Sequence, residues 1–533
     1  MRESKYLILC ILFFFILIKA HAQVDTLRKP LPAQYVADTL HKPLPRPKPE
    51  PKREFRGVWI ATVVNIDWPS SDHLTADRQK QELITILDAD QRVGINAIIL
   101  QIRPAADAFY AKSREPWSKW LTGRQGQAPD PVYDPLEFAI VEAHKRGMEV
   151  HAWFNPYRAT MDGNFKALSP RHITNQEPSW FFNYGGIKLF NPGIPQVRDY
   201  IVQVILNVVD NYNIDGVHMD DYFYPYKIDG QKINDEQTFK TYGGDFTDIK
   251  DWRRNNVDLL IEALGDSIHK HKSFMKFGIA PFGIWKNVGQ DPDGSDSRGG
   301  DSFYELYADT RKWIQEGWID YVVPQLYWHI GYRLASFTNM VDWWGDNAFD
   351  KHLYVGQAPY RAFEVHSPAF KNPSEIPNQI RYLRNNPRVQ GSVFFSNNSL
   401  MRNPLGITDT LHTNFYKYPA LPPPMLWLDS VPPNAPKHLT ANPNGRGVKL
   451  KWETPDTATD GETAYGYVVY RFNSTDTVNL TDPKYILHIQ YNTDTEFEDD
   501  TTEKGKTYLY VVTAIDRLKN ESDPTPTIAA TTN

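Results

Sequence analysis

Two adjacent carboxylates, Asp220 and Asp221, follow a short apolar run in the segment Asp215-Gly-Val-His-Met-Asp-Asp-Tyr-Phe-Tyr-Pro225. Two carboxyl groups held close together push their pKa values apart, so that one stays protonated while the other is ionised. Such a pair can protonate a leaving oxygen and supply a nucleophile or base, which is what cleavage of a glycosidic bond requires. We therefore expect Asp220 and Asp221 to be catalytic and Asp215 to cap the turn before them. Alternatively, Asp220 has a structural role, as a buried carboxylate that holds loops in place by accepting hydrogen bonds from Arg or backbone N–H groups.

Polar and aromatic side chains also follow the other apolar runs of the sequence. A polyhydroxylated ring needs such partners, because its hydroxyls pair with carboxylates and amides while its C–H faces stack on aromatic rings. We predict that the following residues bind such a substrate: Trp59, Asp67, Arg103, Asp107, Asn155, Tyr157, His218, Tyr222, Phe282, Gln325, Tyr327, Trp328 and Gln357.

Some of these residues also have a structural interpretation. Asp107 and Arg103 could pair as a structural salt bridge, and Asp67 could cap the first loop. Gln325 cannot ionise, so we expect it to position substrate rather than act as an acid. Polar residues that merely cap strands facing water would explain a few of these strand ends but not most of them.

The residues between positions 54 and 420 alternate short β-branched segments with amphipathic helical ones, which predicts βα units. The strand candidates are Gly57–Val64, Ala97–Ile102, Glu149–Phe154, Gly216–Asp220, Lys276–Pro281, Asp320–Leu326, His352–Gly356 and Gly391–Phe395. Eight repeats favour an α/β fold of the closed (β/α)8 TIM barrel type, in which the reacting groups stand at the C-terminal ends of the strands. Asp301-Ser302 is predicted to open a helix that ends near Gly317.

The N-terminus has the pattern of an export signal. A basic start with Arg2 and Lys5 precedes an apolar run from Leu7 to Ile18, and small residues flank a cleavage site after Ala22. The run is shorter than the roughly 20 residues of a spanning helix. We therefore predict a signal peptide over 1–22, export to the periplasm or the extracellular space, and no stable membrane insertion after cleavage.

Pro-rich stretches divide the remaining chain into folded parts. We predict a Pro-rich linker over 23–53, the barrel over 54–420, a second Pro-rich linker over 421–433 and a small all-β domain over 434–533. In the last part an early Trp452 and a Tyr508 placed like a tyrosine corner predict a seven-stranded sandwich that resembles a fibronectin type III domain. It serves either as a spacer or as a contact for glycan or protein.

The composition excludes several functional classes. The sequence of 533 residues carries a formal net charge of −6, which makes nucleic acid and anionic membrane surfaces poor partners. Its single cysteine, Cys10, lies inside the predicted signal, so the mature chain would hold no disulfide, thiolate nucleophile or Cys-bound metal. No Gly-rich phosphate loop follows the first strand. We expect no cofactor and no metal.

Several stretches, in the same order along the chain, resemble the glycosyl-hydrolase-like family ten group, also known as domain of unknown function 187. They are Phe55-Arg-Gly-Val-Trp59, Gln101-x-Arg-Pro-x-x-Asp-Ala-x-Tyr110, His151-Ala-Trp-Phe-Asn-Pro-Tyr-Arg158, the Asp215–Pro225 segment, Gly278-Ile-Ala-Pro-Phe-Gly-Ile-Trp285, Tyr321-x-x-Pro-Gln-x-Tyr-Trp328 and Gly391-Ser-Val-Phe-Phe-Ser396. The resemblance implies a (β/α)8 barrel and an exported glycoside hydrolase. It implies peptidoglycan glycan strands lacking stem peptides as the substrate class.

The mechanism is left open by the sequence. The Asp215–Pro225 segment weakly resembles the chitinase-type Asp-Gly-x-Asp-x-Asp-x-Glu pattern, but His218 replaces the second Asp and Tyr222 replaces the Glu. In one hypothesis the N-acetyl group of the substrate is itself the nucleophile. Asp220 then orients this group, and Asp221 supplies the proton. The alternatives are a non-catalytic carbohydrate-binding barrel and a metal-dependent polysaccharide-modifying enzyme with His218 and Asp220 as ligands.

Overall fold

A closed barrel forms the larger part of the computed structural model, which describes residues 48–445 and 447–532. The strands of this part are β1 (Phe55–Ile60), β2 (Ala97–Arg103), β3 (Glu149–Phe154), β4 (Phe181–Tyr184), β5 (Ile187–Phe190), β6 (Gly216–Met219), β7 (Lys276–Ile279), β8 (Tyr321–Val322), β9 (His352–Gln357) and β10 (Gly391–Phe394). Eight of them close the barrel in the order β1-β10-β9-β8-β7-β6-β3-β2, and all neighbouring pairs are parallel. The predicted (β/α)8 fold is confirmed.

Each predicted strand overlaps an observed one, but two of the predictions end four residues too late. The first, Gly57–Val64, overruns β1, which ends at Ile60 before a 3-10 helix at Val63–Asn65. Regular pairing in β8 stops at Val322, whereas the prediction ran to Leu326. Pro324 has no N–H to donate to a neighbouring strand, which ends the ladder there. Gln325 then resumes isolated bridges to Phe282 and to Gly356. The predicted signal peptide and the predicted linker up to residue 47 lie outside the described residues.

Helices surround the barrel and connect its strands. They are α1 (Ala76–Val93), α2 (Lys119–Thr122), α3 (Pro135–Lys145), α4 (Ile173–Gln176), α5 (Pro195–Asn211), α6 (Glu236–Tyr242), α7 (Ile249–His271), α8 (Ser302–Glu305), α9 (Thr310–Gln315), α10 (Phe337–Asp346), α11 (Glu375–Asn385), α12 (Asn397–Met401) and α13 (Ile407–Thr410). The single helix predicted from Ser302 to about Gly317 is wrong. Tyr307 has a φ of 55° and breaks it, and Asp309 caps α9 as a new start.

An antiparallel hairpin, β4 with β5, interrupts the βα repeat after β3 and was not predicted. Its strands have only four residues each, which is too short for an alternating apolar pattern to stand out in the sequence.

The C-terminal part forms two antiparallel sheets, consistent with the predicted sandwich. Its strands are β11 (Lys437–Asn444), β12 (Gly447–Glu453), β13 (Gly466–Asn473), β14 (Ile486–Gln490), β15 (Glu496–Asp499), β16 (Thr507–Ile515) and β17 (Ile528–Thr531), in the orders β11-β12-β15 and β14-β13-β16-β17. Trp452 is buried against Tyr467, and the hydroxyl of Tyr508 accepts a hydrogen bond from the backbone N–H of Glu503 at 3.2 Å. The relation to fibronectin type III domains stays a prediction, as do the domain boundaries.

The barrel has two apolar layers. One lies between the strands and the surrounding helices, and the other fills the interior of the barrel, where Phe55, Trp59, Tyr321 and Tyr354 pack together. Met425, in the predicted Pro-rich linker, is fully buried against this interior cluster, so that segment packs on the barrel. Among the described residues no helix is long and apolar enough to cross a membrane.

Candidate functional site

Asp220 lies directly after β6, at the C-terminal mouth of the barrel, and is 5% exposed. Its Oδ2 atom accepts hydrogen bonds from the side-chain amide of Asn155 and, at 3.3 Å, from the indole N–H of Trp153. Its Oδ1 atom has only a long contact of 3.4 Å from the backbone N–H of Tyr222. The carboxyl group therefore leans from β6 toward the end of β3.

Burial raises the pKa of Asp220 to about 7, while the guanidinium of Arg158 opposes this rise and the neighbouring Asp221 adds to it. Arg158 is held in place because it donates to Asn155 Oδ1 at 2.7 Å and to the backbone oxygen of Pro104 at 2.7 Å. A carboxyl group with this pKa is protonated in about half of the molecules at neutral pH. Asp220 is therefore suited to donate a proton there.

Asp221 turns to the opposite side of β6. Its Oδ2 accepts a hydrogen bond from the Tyr226 hydroxyl, and its Oδ1 accepts one from Gln325 Nε2 at 3.0 Å. Burial raises the pKa of Asp221, and the hydrogen bonds from Tyr226 and Gln325 oppose that rise. The two carboxylates thus stand side by side at the mouth but have different partners, which sets them up for different protonation states.

Aromatic rings form one wall of the cleft beside Asp221. Consecutive ring centroids are 5.6 Å apart between Tyr222 and Tyr226, 6.3 Å between Tyr226 and Phe282, and 5.8 Å between Phe282 and Trp328. A small cavity of about 90 Å³ opens along this wall and is also lined by Arg298. Flat, partly exposed rings in such a wall can stack on the C–H faces of sugar rings.

A second aromatic group lies across the mouth, at the ends of β8, β9 and β10. Tyr327 lies 6.0 Å from Tyr360 and 6.1 Å from Phe395, and Phe395 lies 6.0 Å from Trp59. Trp59 is 2% exposed, so its ring belongs to the floor of the site. The predicted site residues Asn155, Tyr222, Phe282, Gln325, Tyr327 and Trp328 therefore meet around Asp220 and Asp221, and their contact with substrate stays a prediction.

Arg103 and Asp107 do not form the ion pair considered in the sequence analysis. Arg103 is 1% exposed and donates to both carboxylate oxygens of Glu115 at 2.7 Å. Asp107 instead accepts from Gln125 Nε2 at 3.1 Å, and burial raises its pKa to about 6. A guanidinium N–H group that donates to a buried partner in the protein cannot also donate to a ligand. Arg103 therefore supports the loop after β2 rather than the substrate.

Asp67 joins the first and last barrel strands. Its Oδ2 accepts from the backbone N–H of Ala61 at 2.7 Å, and its Oδ1 accepts from Ser396 Oγ at 2.6 Å and from the backbone N–H of Asn398 at 2.8 Å. Burial raises its pKa to about 6. These contacts agree with the capping role that the sequence left open for Asp67.

Three other predicted substrate contacts lie beneath or outside the cleft. His218 is fully buried inside the barrel, where burial lowers its pKa well below the usual range. Gln357 is fully buried and donates to Gln379 Oε1 at 3.0 Å, and Tyr157 packs in the layer between strands and helices. Because all three side chains are buried, their contact with substrate stays a prediction.

Residues that the sequence prediction did not select complete the site. Tyr226 belongs to a loop and Tyr360 to the short 3-10 helix Pro359–Phe363, so neither stands directly at a strand end, although Tyr226 closes an aromatic-rich run. Arg158 ends one of the stretches that resemble the family, but it is not among the residues predicted to bind substrate. Within the described residues no three His, Cys, Asp or Glu side chains are grouped so that they could hold a metal ion.

The sequence matches one known protein family over most of the barrel. The sequence model described as glycosyl hydrolase-like 10 matches residues 54–373. Over 477 residues the chain is 47% identical to glycosyl hydrolase YngK of Bacillus subtilis (strain 168), with 88% of this chain and 92% of that protein covered. It is 38% identical over 364 residues to glycosyl hydrolase DigH of Escherichia coli (strain K12), with 64% of this chain and 82% of that protein covered.

Among solved structures, the glycoside hydrolase domain of PgaB (BpsB) from Bordetella bronchiseptica has a TM-score of 0.45 at 12% sequence identity, with 68% of this chain and 99% of that chain covered.

Proposed function

The chain belongs to the glycosyl hydrolase-like 10 family and is a glycoside hydrolase, and from this premise we propose that it cleaves O-glycosidic bonds in the glycan strands of peptidoglycan. The family resemblance supports this substrate class, and the two aromatic walls suit a chain of sugar rings. The observation that carries the proposal is the position of Asp220, a buried carboxyl with a pKa of about 7 at the mouth of the barrel.

Asp220 is the general acid in this proposal. Both N–H donors, from Asn155 and Trp153, point at Oδ2, so the proton of the neutral acid sits on Oδ1. That oxygen has only the long contact from the Tyr222 backbone and is free to donate to the departing glycosidic oxygen. In the reaction the O–H bond of Asp220 breaks as the glycosidic C–O bond breaks, and the leaving sugar takes the proton.

Asp221 is the ionised partner. The Tyr226 hydroxyl and the Gln325 amide donate one hydrogen bond to each of its oxygens, which favours the charged form. It accepts a hydrogen bond from the acetamido N–H of the substrate or from the attacking water, and stabilises the positive charge that develops on the sugar. This arrangement exchanges the two roles assigned to Asp220 and Asp221 in the sequence hypothesis.

The experiment incubates the chain with purified glycan strands, with stem peptides removed or retained, and determines the mass of the released fragments. Fragments with new reducing ends and intact acetamido groups support the proposal. Binding without any new reducing ends would support the non-catalytic barrel, and loss of acetyl groups without chain cleavage would support a deacetylase. Either of these results would overturn the proposal.

We also propose that the chain is exported and acts in the periplasm or outside the cell, because residues 1–22 have the three-part pattern of a signal peptide. N-terminal sequencing of the protein recovered from the cell envelope or the medium should begin at Gln23. Recovery of the chain in the cytoplasm with its first residues intact would contradict export.

A further inference from the structure

A loop of the C-terminal sandwich enters the N-terminal end of the barrel, opposite the candidate active site. The loop follows β16, and its residues Leu518 and Lys519 are 1% and 0% exposed. Leu518 packs with the apolar cluster of the barrel interior. Lys519 has a φ of 68°, a conformation that non-glycine residues rarely adopt, and it is held there by its contacts on all sides.

The ammonium group of Lys519 completes a buried ion cluster at the closed end of the barrel. Its Nζ atom lies 3.1 Å from Glu149 Oε1 and 3.6 Å from Asp215 Oδ1. Lys276 of β7 pairs with the same oxygen of Glu149. Asp215 also pairs with His144 at 2.7 Å, whereas Glu149 Oε1 pairs with the two ammonium groups. Loss of Lys519 would therefore remove one of the two positive charges that compensate the buried carboxylate of Glu149.

A chain of hydrogen bonds rises from Glu149 through the barrel interior. Glu149 Oε2 lies 3.0 Å from His151 Nε2, and His151 Nδ1 lies 2.7 Å from the hydroxyl of Tyr321. The same hydroxyl lies 3.1 Å from His218 Nδ1, and His218 Nε2 lies 3.3 Å from the indole nitrogen of Trp59. His218 is two residues before Asp220 and therefore on the same face of β6, directly beneath it.

The two ends of this chain fix the direction of every hydrogen bond in it. An indole N–H can only donate, so His218 accepts at Nε2 and carries its proton on Nδ1, from where it donates to Tyr321. Tyr321 in turn donates to His151 Nδ1, and His151 donates from Nε2 to Glu149. All the hydrogen bonds of the chain can form only while Glu149 accepts from His151. If a protonated Glu149 donated to His151 instead, every hydrogen bond would reverse. The Nε2–H group of His218 would then face the indole N–H of Trp59, and two donors would oppose each other.

We propose that Lys519 of the C-terminal sandwich is a positioning residue for the barrel active site: its pairing with Glu149 maintains the direction of the hydrogen-bond chain that holds His218 and Trp59 beneath Asp220. The inference rests on the proposed function for its kinetic consequence. It makes the sandwich a part of the catalytic unit rather than a detachable spacer or a binding module.

The groups that face Glu149 decide how its charge responds to pH. They are His151 of β3, Lys276 of β7, Lys519 of the sandwich, Asp215 before β6, Tyr321 of β8, His352 and Tyr354 of β9, and Tyr465 and Tyr491 of the sandwich. Burial alone would raise the pKa of Glu149, but Lys276, Lys519 and the hydrogen bond from His151 hold it well below its usual value. Removal of Lys519 must therefore raise that pKa.

The first test measures the imidazole tautomers of His151 and His218 in the full chain by nitrogen NMR, which does not depend on activity. In the natural chain we expect a proton on Nε2 of His151 and on Nδ1 of His218. In Lys519→Met we expect the same tautomers at about pH 8 but their loss at a higher pH than in the natural chain on acidification, because Lys519 is one of the groups that keep Glu149 ionised. Lys506→Met, a change of an exposed lysine of the same domain, should leave them unchanged.

The second test compares kcat/KM across pH. Lys519→Met should lose about tenfold more activity at about pH 5 than at about pH 8, relative to the natural chain, because misplacement of supporting groups costs turnover. A uniform loss of folded protein would lower activity equally at both pH values. Unchanged tautomers together with an unchanged pH profile in folded Lys519→Met would overturn the inference, while cleavage by the natural chain would still support the proposed function.

A second variant covers the case in which Lys519→Met does not fold. In Glu149→Gln both ammonium groups remain and hold the amide oxygen at the position of Oε1, so the amide NH2 group faces Nε2 of His151 and donates to it. The hydrogen-bond chain then runs in the opposite direction, and we expect the natural tautomers of His151 and His218 to be lost at every pH. A folded Glu149→Gln variant that keeps both natural tautomers would show that the ammonium groups do not direct the chain through Glu149 and would overturn the inference.

Discussion

The side-chain amide of Asn155 donates a hydrogen bond to Oδ2 of Asp220, the oxygen that the indole N–H of Trp153 also reaches. Two donors on one oxygen leave the other oxygen as the only place for the acidic proton. The end of β3 therefore orients the acid that stands at the end of β6, and this relationship between two strands determines which oxygen faces a leaving group.

The pH dependence of turnover should show an alkaline limb at about pH 7. Asp220 has a pKa of about 7 and must be protonated to act as the acid, so kcat/KM falls as the pH rises through that value. The measurement is kcat/KM on glycan strands between about pH 5 and about pH 9. A rate that stays constant up to about pH 9 would contradict the assignment of Asp220 as the acid.

Arg158→Met should move that alkaline limb to higher pH. The guanidinium lowers the pKa of Asp220, so its removal favours the protonated carboxyl. The limb should shift upward by about one pH unit. The exposed Arg124→Met serves as the control and should leave the limb in place. A shift toward lower pH would contradict the electrostatic coupling of Arg158 to Asp220.

Asp220→Asn should stabilise the fold at alkaline pH while it abolishes turnover of natural strands. The pKa of Asp220 is raised from 3.8 to about 7, so the carboxyl is neutral in both states at acidic pH. As the pH rises from about 4 to about 7, Asp220 loses its proton in the unfolded chain before it does so in the folded protein. The natural protein therefore loses about 4 kcal/mol of stability over this range, a loss that the Asp220→Asn variant does not show. Thermal unfolding should show a gain for the variant at about pH 8 and none at about pH 4. The exposed Asp266→Asn should show no such dependence on pH, and an Asp220→Asn variant that is destabilised in the alkaline range would refute this account.

Tyr226→Phe should lower kcat by about ten- to a hundredfold, because one hydrogen bond to the charged Asp221 is lost. The hydroxyl opposes the raised pKa of Asp221, so the acidic limb of the pH profile should also move upward. Tyr242→Phe, at an exposed tyrosine, is the matched control. An unchanged acidic limb in Tyr226→Phe would show that Asp221 need not be ionised.

Trp328→Ala should raise KM by about ten- to a hundredfold with a smaller effect on kcat, since we propose that this ring, which packs beside Phe282 in the aromatic wall, stacks on sugar away from the reacting bond. Trp328→Phe keeps an aromatic face and should recover most of the affinity. If both variants lose kcat with KM unchanged, the ring acts on the transition state rather than as part of a binding wall.

The barrel could be predicted from the sequence because its signals are local. Each strand is a short β-branched run, and the polar residues at its C-terminal end follow from the rule that parallel strands present those ends at one face. Asp220, Asp221, Asn155 and Gln325 were all found in this way. The break at Tyr307 and the hairpin β4 with β5 escaped prediction because a positive φ at one residue and strands of only four residues leave no periodic pattern in the sequence.

Pairings between distant parts of the chain could not be predicted. Arg103 pairs with Glu115 instead of Asp107 because the loop after β2 turns back on itself, and no spacing rule encodes that turn. Lys519 reaches Glu149 from the far end of the chain and from a different domain. Such contacts depend on the docking of whole elements, which a single sequence does not record.

The most direct test of the central claim compares two leaving groups on Asp220→Asn. An oligosaccharide with a dinitrophenyl leaving group departs without protonation, whereas a natural sugar leaving group needs a proton from the acid. We predict that the variant cleaves the dinitrophenyl substrate at a rate close to that of the natural chain and loses about a thousandfold or more on the natural strand. Equal loss on both substrates, or equal activity on both, would contradict the role of Asp220 as the proton donor.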